Sequence, residues 1–191
     1  MKNLLLVILI FLFACKKHNS PTVPMQLSDM PIKEGNSWSY AVTNYPPTET
    51  DTAVFQISQA SSVFNGVVTY YTTTSIKGAI VDSGIITVNS SDVNYIGANG
   101  IQTFAGSGLF DNWILPFPIS ADSGWAGTNL GISIIGADQS ITIAGNNYKH
   151  VYTLKRTFLT PGGNSNDTLM IVPKVGIVQW HGFPLVSYHL Q

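Results

Sequence analysis

The chain has 191 residues with nine basic and ten acidic side chains, and charged residues make up 10% of it, where about 25% is usual. After the Lys16-Lys17 pair, six basic residues stand against ten acidic ones, a net charge of -4, and Arg156 is the single arginine. Holding a nucleic-acid backbone needs a basic patch, and this composition supplies none, so no nucleic-acid partner is expected.

In chain order, Lys2 supplies one positive charge and Leu4 to Phe13 is an unbroken apolar run of ten residues. That is the n-region and h-region of a signal peptide, too short for a permanent span, which needs about 20 apolar residues. The run ends in Leu12-Phe13-Ala14-Cys15, which resembles the lipobox of bacterial lipoproteins. The resemblance implies a diacylglyceryl thioether on Cys15, cleavage before it, and acylation, with palmitate, of the new amino terminus. Several acyl chains on one residue anchor stably where a single chain binds only marginally. Cys15 is the only cysteine, so no disulfide can form within the chain. Residues 1–14 are thus expected to be the signal peptide and 15–30 a lipidated, proline-containing tether, with Lys16 and Lys17 placed against anionic headgroups.

From 31 to 191 the chain is expected to form one β domain. No window shows helical apolar spacing over three turns, and short runs rich in Val, Ile, Thr, Tyr and Phe alternate with Gly, Asn, Asp, Ser and Pro clusters. Strands are expected at 38–43, 52–58, 67–76, 85–88, 93–96, 102–104, 131–135, 140–144, 148–157, 168–172, 176–180 and 186–190. The fold class is all-β: a large curved antiparallel sheet, or a two-sheet sandwich or open barrel. Alternation sends Ala53, Phe55 and Ile57 to one face and Ile141 and Ile143 to another. It also groups His150 with Tyr148, Tyr152 and Leu154, and makes Val186, Tyr188 and Leu190 the apolar face of the last strand, with His189 opposite. Pro31-Ile32 and Trp38 are echoed by Pro118-Ile119 and Trp125, Asp82-Ser83 by Asp167-Thr168, and Val93 to Gly97 by Val178 to Gly182. The offsets of 85 to 87 suggest two similar halves, 31–104 and 118–190.

The opening Pro31-Ile32-Lys33-Glu34-Gly35-Asn36-Ser37-Trp38-Ser39-Tyr40, with Ile143 to Tyr152 and Val175-Gly176-Ile177-Val178, resembles outer-membrane lipoproteins of the Bacteroidota that carry a β-rich domain and whose own role is uncharacterised. Such proteins are distantly similar to the curved sheets of periplasmic lipoprotein carriers, but this sequence lacks the covering helices and carrier function does not transfer. Asp51-Thr52-Ala53 and Asp167-Thr168-Leu169 resemble the O-glycosylation signal of exported Bacteroidota proteins, which implies Thr52 and Thr168 as acceptors. As plain sequence both are ordinary turn-to-strand starts. The lack of an acidic cluster after Cys15, which resembles the surface-export signal of that group, implies the periplasmic face of the outer membrane.

Catalytic signatures are missing: no Gly-x-Ser-x-Gly elbow, phosphate loop, His-Glu-x-x-His or Ser-x-x-Lys occurs. His150, His181 and His189 are too scattered for a zinc spacing, with one expected among aromatics and two on the surface, and the acids are single and set in turns. No enzyme activity, cofactor or metal is expected. The densest aromatic stretch runs from Leu109 to Pro118 and closes at Trp125. Trp113, Phe117 and Trp125 could stack on sugar rings or grip an apolar ligand, or plug the core between the halves. The chain therefore reads as a membrane-anchored, non-enzymatic binding or scaffolding lipoprotein, the alternative being a glycan-binding or glycan-processing accessory.

Overall fold

A computed structural model describes residues 23–43, 50–97, 113–126, 130–160 and 163–191, leaving aside the side chains of residues 61, 113, 159 and 160. Four Xaa-Gly pairs organise it. Asn65-Gly66, Lys77-Gly78, Ala144-Gly145 and His181-Gly182 all have positive φ at both residues. Two such residues in succession make the tight hairpin turn whose twist matches that of the paired strands, and glycine accepts the second position without steric cost.

The strands are β1 (Ser37–Thr43), β2 (Thr50–Phe64), β3 (Val67–Ile76), β4 (Ala79–Val88), β5 (Asp92–Gly97), β6 (Trp113–Pro116), β7 (Gly124–Ala126), β8 (Leu130–Ile143), β9 (Asn146–Thr160), β10 (Gly163–Val172), β11 (Gly176–Trp180) and β12 (Phe183–His189). They form one antiparallel sheet in the order β6-β5-β4-β3-β2-β1-β12-β11-β10-β9-β8-β7. The expected all-β single domain is what the chain adopts, as a nearly closed, barrel-like sheet. Its curl is tight enough that Tyr95 on β5 meets Phe55 on β2 edge to face, with ring centroids 5.6 Å apart.

Two six-strand meanders thus meet at β1 and β12. Beside that seam β11 and β12 pair only at Gln179↔Pro184 and Trp180↔Phe183, and β12 then parts from β11. Side chains of β1 reach the β11 side of the gap: Trp38 Nε1 donates to the Val175 carbonyl at 2.6 Å and Tyr40 Oη to the Ile177 carbonyl at 2.9 Å. Trp38, Tyr40, Phe55, Tyr95, Trp180 and Ile86 fill the middle of the barrel. Residues 23–36 strap one end of it. Met25 and Ile119 bond backbone to backbone, the Lys174 N–H donates to the Asp29 carbonyl, and Gly35 N–H donates to Ile57. Met25 and Met30 are buried there.

Alternation places Ala53, Phe55 and Ile57 in the core as expected. Other expectations need correction. The segments 131–135 and 140–144 are one strand, β8. It stays paired to β9 through three register shifts between Ile134 and Ile141, so the polar Asp138-Gln139-Ser140 is bulge rather than turn. His150 is exposed, not packed among aromatics. Its φ of +58 sits in this bulged region and turns the ring toward Asp138, with Nδ1 2.5 Å from Oδ1. In β12 the register shifts opposite Ser39 and Tyr40; Leu185 goes into the core, and Val186 and Tyr188 are left exposed. Residues 113–116, expected to connect the two halves, and 124–126, for which no strand bounds were expected, are the two edge strands, and the strand expected at 102–104 lies outside the described residues.

Trp38 is buried, whereas Trp125 on edge strand β7 is only half-buried. Truncating a core tryptophan to alanine typically costs about 3 to 5 kcal/mol. Trp38→Ala should lose stability in that range by urea titration, and Trp125→Ala less than about half as much. Equal losses would contradict this placement.

Candidate functional site

Three groups of side chains carry the polar chemistry, two inside the sheet and one at its rim. Arg156 on β9 is fully buried. Its Nε donates to Asp167 Oδ1 at 2.8 Å and its Nη2 to Asp167 Oδ2. Asp167 stands directly across from it on β10, which fixes the bidentate geometry. His181, in the β11–β12 turn, places Nδ1 2.7 Å from Asp167 Oδ2 and Nε2 2.9 Å from Arg156 Nη2. A guanidinium only donates, so Nε2 is the acceptor and Nδ1–H the donor, and the neutral imidazole bridges a balanced ion pair. The guanidinium also lies 5.2 Å from the Phe158 ring centre and 5.8 Å from that of Trp180, a cation–π arrangement. Burial alone would raise the Asp167 carboxyl, but hydrogen bonds from His181 and Arg156, with the Arg156 charge, outweigh it and hold it below the usual carboxylate range.

The second interior acid is Asp82 on β4. Its Oδ2 accepts from Tyr95 Oη at 3.3 Å; burial, and next the Asp82 charge, push the Tyr95 phenol up, so it stays a donor. Gly84 makes room for this contact, since a Cβ there would lie 2.9 Å from Tyr95 ring atoms and 2.7 Å from the Ile96 carbonyl.

At the rim, the parting of β12 from β11 opens a cleft of about 480 Å³ lined by Asn146, Asn147, Tyr148, Val175, Ser187 and Tyr188, with Val186. Tyr148 is half-buried and Tyr188 exposed. Burial, followed by the neighbouring Tyr188 phenol, raises the Tyr148 phenol, so its hydroxyl stays neutral near pH 7. Thr142 Oγ1 donates to Asn147 Oδ1 at 2.6 Å and orients that amide. Phenol rings and valines beside amides and a hydroxyl suit a ligand with apolar faces and hydroxylated edges. A second cleft, about 400 Å³, lies under the strap between Val23, Asp29, Asp138, Lys149, His150 and Tyr152. Among the described residues no group of three or more His, Cys, Asp or Glu has a metal-holding arrangement.

The residues singled out from sequence are not gathered in one place. Thr52 is exposed on β2, and the preceding Asp51 is paired to Lys77 at 3.1 Å. Thr168 is half-buried, and the preceding Asp167 is committed to Arg156. Phe117 and Trp125 are half-buried against the core. The Trp113 backbone pairs with Tyr95, while its side chain, and Cys15, lie outside the described residues. His181, expected on the surface, belongs to the interior ion pair. The Tyr148–Tyr188 cleft had no distinct signal, because a β12 face read as buried hides both its shape and its openness.

No family model matches the chain, and no curated protein does. Among solved structures it is similar to a protein of Bacteroides fragilis described as exported and of YmcC-like fold, at 11% identity, covering 87% of this chain and 100% of that one with a TM-score of 0.43. It is also similar to a protein of Parabacteroides distasonis described as a lipoprotein, at 13% identity, covering 81% and 89% with a TM-score of 0.42. Neither likeness is strong enough to bear on what this chain does.

Leaving one partner of a buried ion pair uncompensated typically costs about 3 to 5 kcal/mol, whereas replacing both with apolar groups is often near neutral. Asp167→Asn should therefore destabilise strongly, and the Arg156→Met/Asp167→Leu double variant should cost clearly less. Because the folded Asp167 pKa is lowered from 3.8, its contribution is fully present above that value and is lost as pH falls through the folded value. The parent's urea midpoint should thus fall more steeply below about pH 4 than that of the double variant. Parallel pH profiles would show that the pair does not hold the fold.

Proposed function

We propose that this protein is an exported lipoprotein, held in the outer membrane by acyl chains on Cys15 with its β domain in the periplasm, and that it works by binding rather than by catalysis. The observation that carries the anchor is Leu12-Phe13-Ala14-Cys15 behind ten consecutive apolar residues, in a chain whose one thiol is that cysteine. What supports binding is the open rim cleft beside Tyr148 and Tyr188. In the interior Arg156, Asp167 and His181 bind one another, and Asp82 binds Tyr95.

The same cleft favours a glycan as the ligand. A pyranose offers C–H faces that pack on phenol rings and hydroxyl edges that hydrogen-bond to amides, and Asn146, Asn147 and Ser187 line the cleft with the two tyrosines. Of the two sugar acceptors implied by the sequence, Thr52 is the better presented, being exposed where Thr168 is half-buried.

Cys15→Ser should accumulate as an uncleaved or soluble precursor that takes up no labelled palmitate; normal labelling of that variant would remove the lipoprotein reading. On a panel of soluble polysaccharides, Tyr188→Ala should weaken binding about tenfold or more, equivalent to about 1.4 kcal/mol. Its urea midpoint should stay near the parent's, since Tyr188 is exposed. If no polysaccharide binds the parent, or the variant binds unchanged, the glycan reading is wrong.

A further inference from the structure

Between Asp51 and Lys77 the chain carries no charge for 25 residues, Thr52 to Ile76, and these are the β2–β3 hairpin. Its turn, Asn65-Gly66, is flanked by Val63 and Phe64, which are 72% and 74% exposed. Being adjacent, they form one contiguous apolar patch at the hairpin tip, and it is contiguous patches rather than single apolar residues that mark contact surfaces. Further back Tyr71 is half out of the surface, the residue type that settles at a membrane–water interface.

The tip stands at the end of the barrel from which the tether leaves. β1 starts at Ser37 opposite Gln56, so residues 58–64 of β2 run past it toward that end. Val68, next to the tip, pairs with Val88 at the end of β4, and the turn from Asn89 to Asp92 leads into β5, whose first residue stands opposite Pro116 of β6. Just beyond, Ile119 bonds to Met25 of the strap, and Val23 is 77% exposed. From Val23 to Cys15 is eight residues, a reach of at most about 29 Å fully extended. An anchor at Cys15 keeps this end, and not the opposite one, near the bilayer.

We propose that Val63, Phe64 and the Asn65-Gly66 turn form a docking tip that seats the domain on the same bilayer that holds its acyl chains. The proposal rests on the lipoprotein reading for the nearness of the membrane. Seating is shallow. Glu34 Oε2 accepts from the Ala60 N–H at 3.3 Å, and a carboxylate stays in water, so only the residues beyond Ala60 can enter. The open β2 edge there carries backbone groups that headgroups and water can satisfy but hydrocarbon cannot. With two attachments, lipid and tip, the domain takes a fixed orientation on the surface instead of swinging on its tether.

The test uses the lipidated chain in vesicles of phosphatidylethanolamine and phosphatidylglycerol. The Cys15 sulfur is then a thioether, and Phe64→Cys or Ile80→Cys supplies the one free thiol for an environment-sensitive fluorophore. Ile80 is 69% exposed beside the Lys77-Gly78 turn at the opposite end. Lipid-borne nitroxides should quench the probe at 64 about threefold more than the probe at 80, as for a group about 5 to 10 Å below the headgroups, and aqueous iodide should do the reverse. Adding Val63→Asp should abolish the difference while the mass of the Cys15 peptide still shows its acyl chains. Equal iodide quenching at both positions in chains with an intact anchor would overturn the tip. So would protection of position 64 that follows dimer formation through the β2 edge. An unmodified Cys15 peptide would instead overturn the lipoprotein reading, because that mass is read independently of probe depth.

Discussion

Two hydrogen bonds from β1, Trp38 to the Val175 carbonyl and Tyr40 to the Ile177 carbonyl, secure the place where β1 and β12 meet. Every other adjacent pair in the sheet is joined by chain continuity, and only β1 against β12 is not. Such a long-range pairing brings no gain until the loop that separates its strands has been closed. Next to it β12 leaves β11 after two residue pairs, and a buried carbonyl without a partner costs free energy comparable to a lost hydrogen bond. Burial pushes the Tyr40 phenol well above its ordinary value, with the Tyr148 phenol adding to it, so the hydroxyl remains a donor at any pH the fold survives. The parting that these two donors make tolerable is the one that opens the Tyr148–Tyr188 cleft.

The same seam fixes what the interior can hold. Trp38, Tyr40, Phe55 and Trp180, from three strands spanning the seam, leave an apolar cavity of about 20 Å³ among them, room for about one water. A cavity of that size is too small for an acyl chain, and the larger cleft lies at the rim. On either side of this cluster lie the two buried acids. Asp82 and Asp167 sit on the fourth strand of their respective six-strand runs, and Tyr95 and Trp180 on the fifth. The two runs hold their acids differently: Asp82 takes a tyrosine hydroxyl, and Asp167 takes the chain's one arginine and a histidine.

The fold class was legible because its signals are local. Asn65-Gly66 and Lys77-Gly78 bound hairpins, and Ala53, Phe55 and Ile57 alternate cleanly. What was hidden depends on non-local pairing. The bulges in β8 keep Asp138 to Ser140 inside a strand although their composition reads as a turn, and they turn His150 outward against the parity of its neighbours. A single register shift opposite Ser39 and Tyr40 puts Leu185 rather than Val186 against Tyr40, since one residue of slip exchanges inside for outside. His181 was misplaced for a related reason: its Gly182 neighbour marks the turn correctly, but nothing local shows that Asp167, fourteen residues earlier, waits beneath it.

The proline-rich aromatic stretch takes its meaning from the edges of the sheet. Among the described residues the nearly closed sheet is unpaired between β6 and β7, and open edges invite pairing with other chains. There β6 has four residues and β7 three. Pro116 ends β6 and cannot donate to a further ladder, and Pro118 follows after Phe117. The strap then reaches across with the Met25–Ile119 pair, occupying backbone groups next to the seam. Phe117 and Trp125 are half-buried at this place because they pack the core where the sheet stops covering it. That packing gives the aromatic residues of this stretch a structural role at the seam.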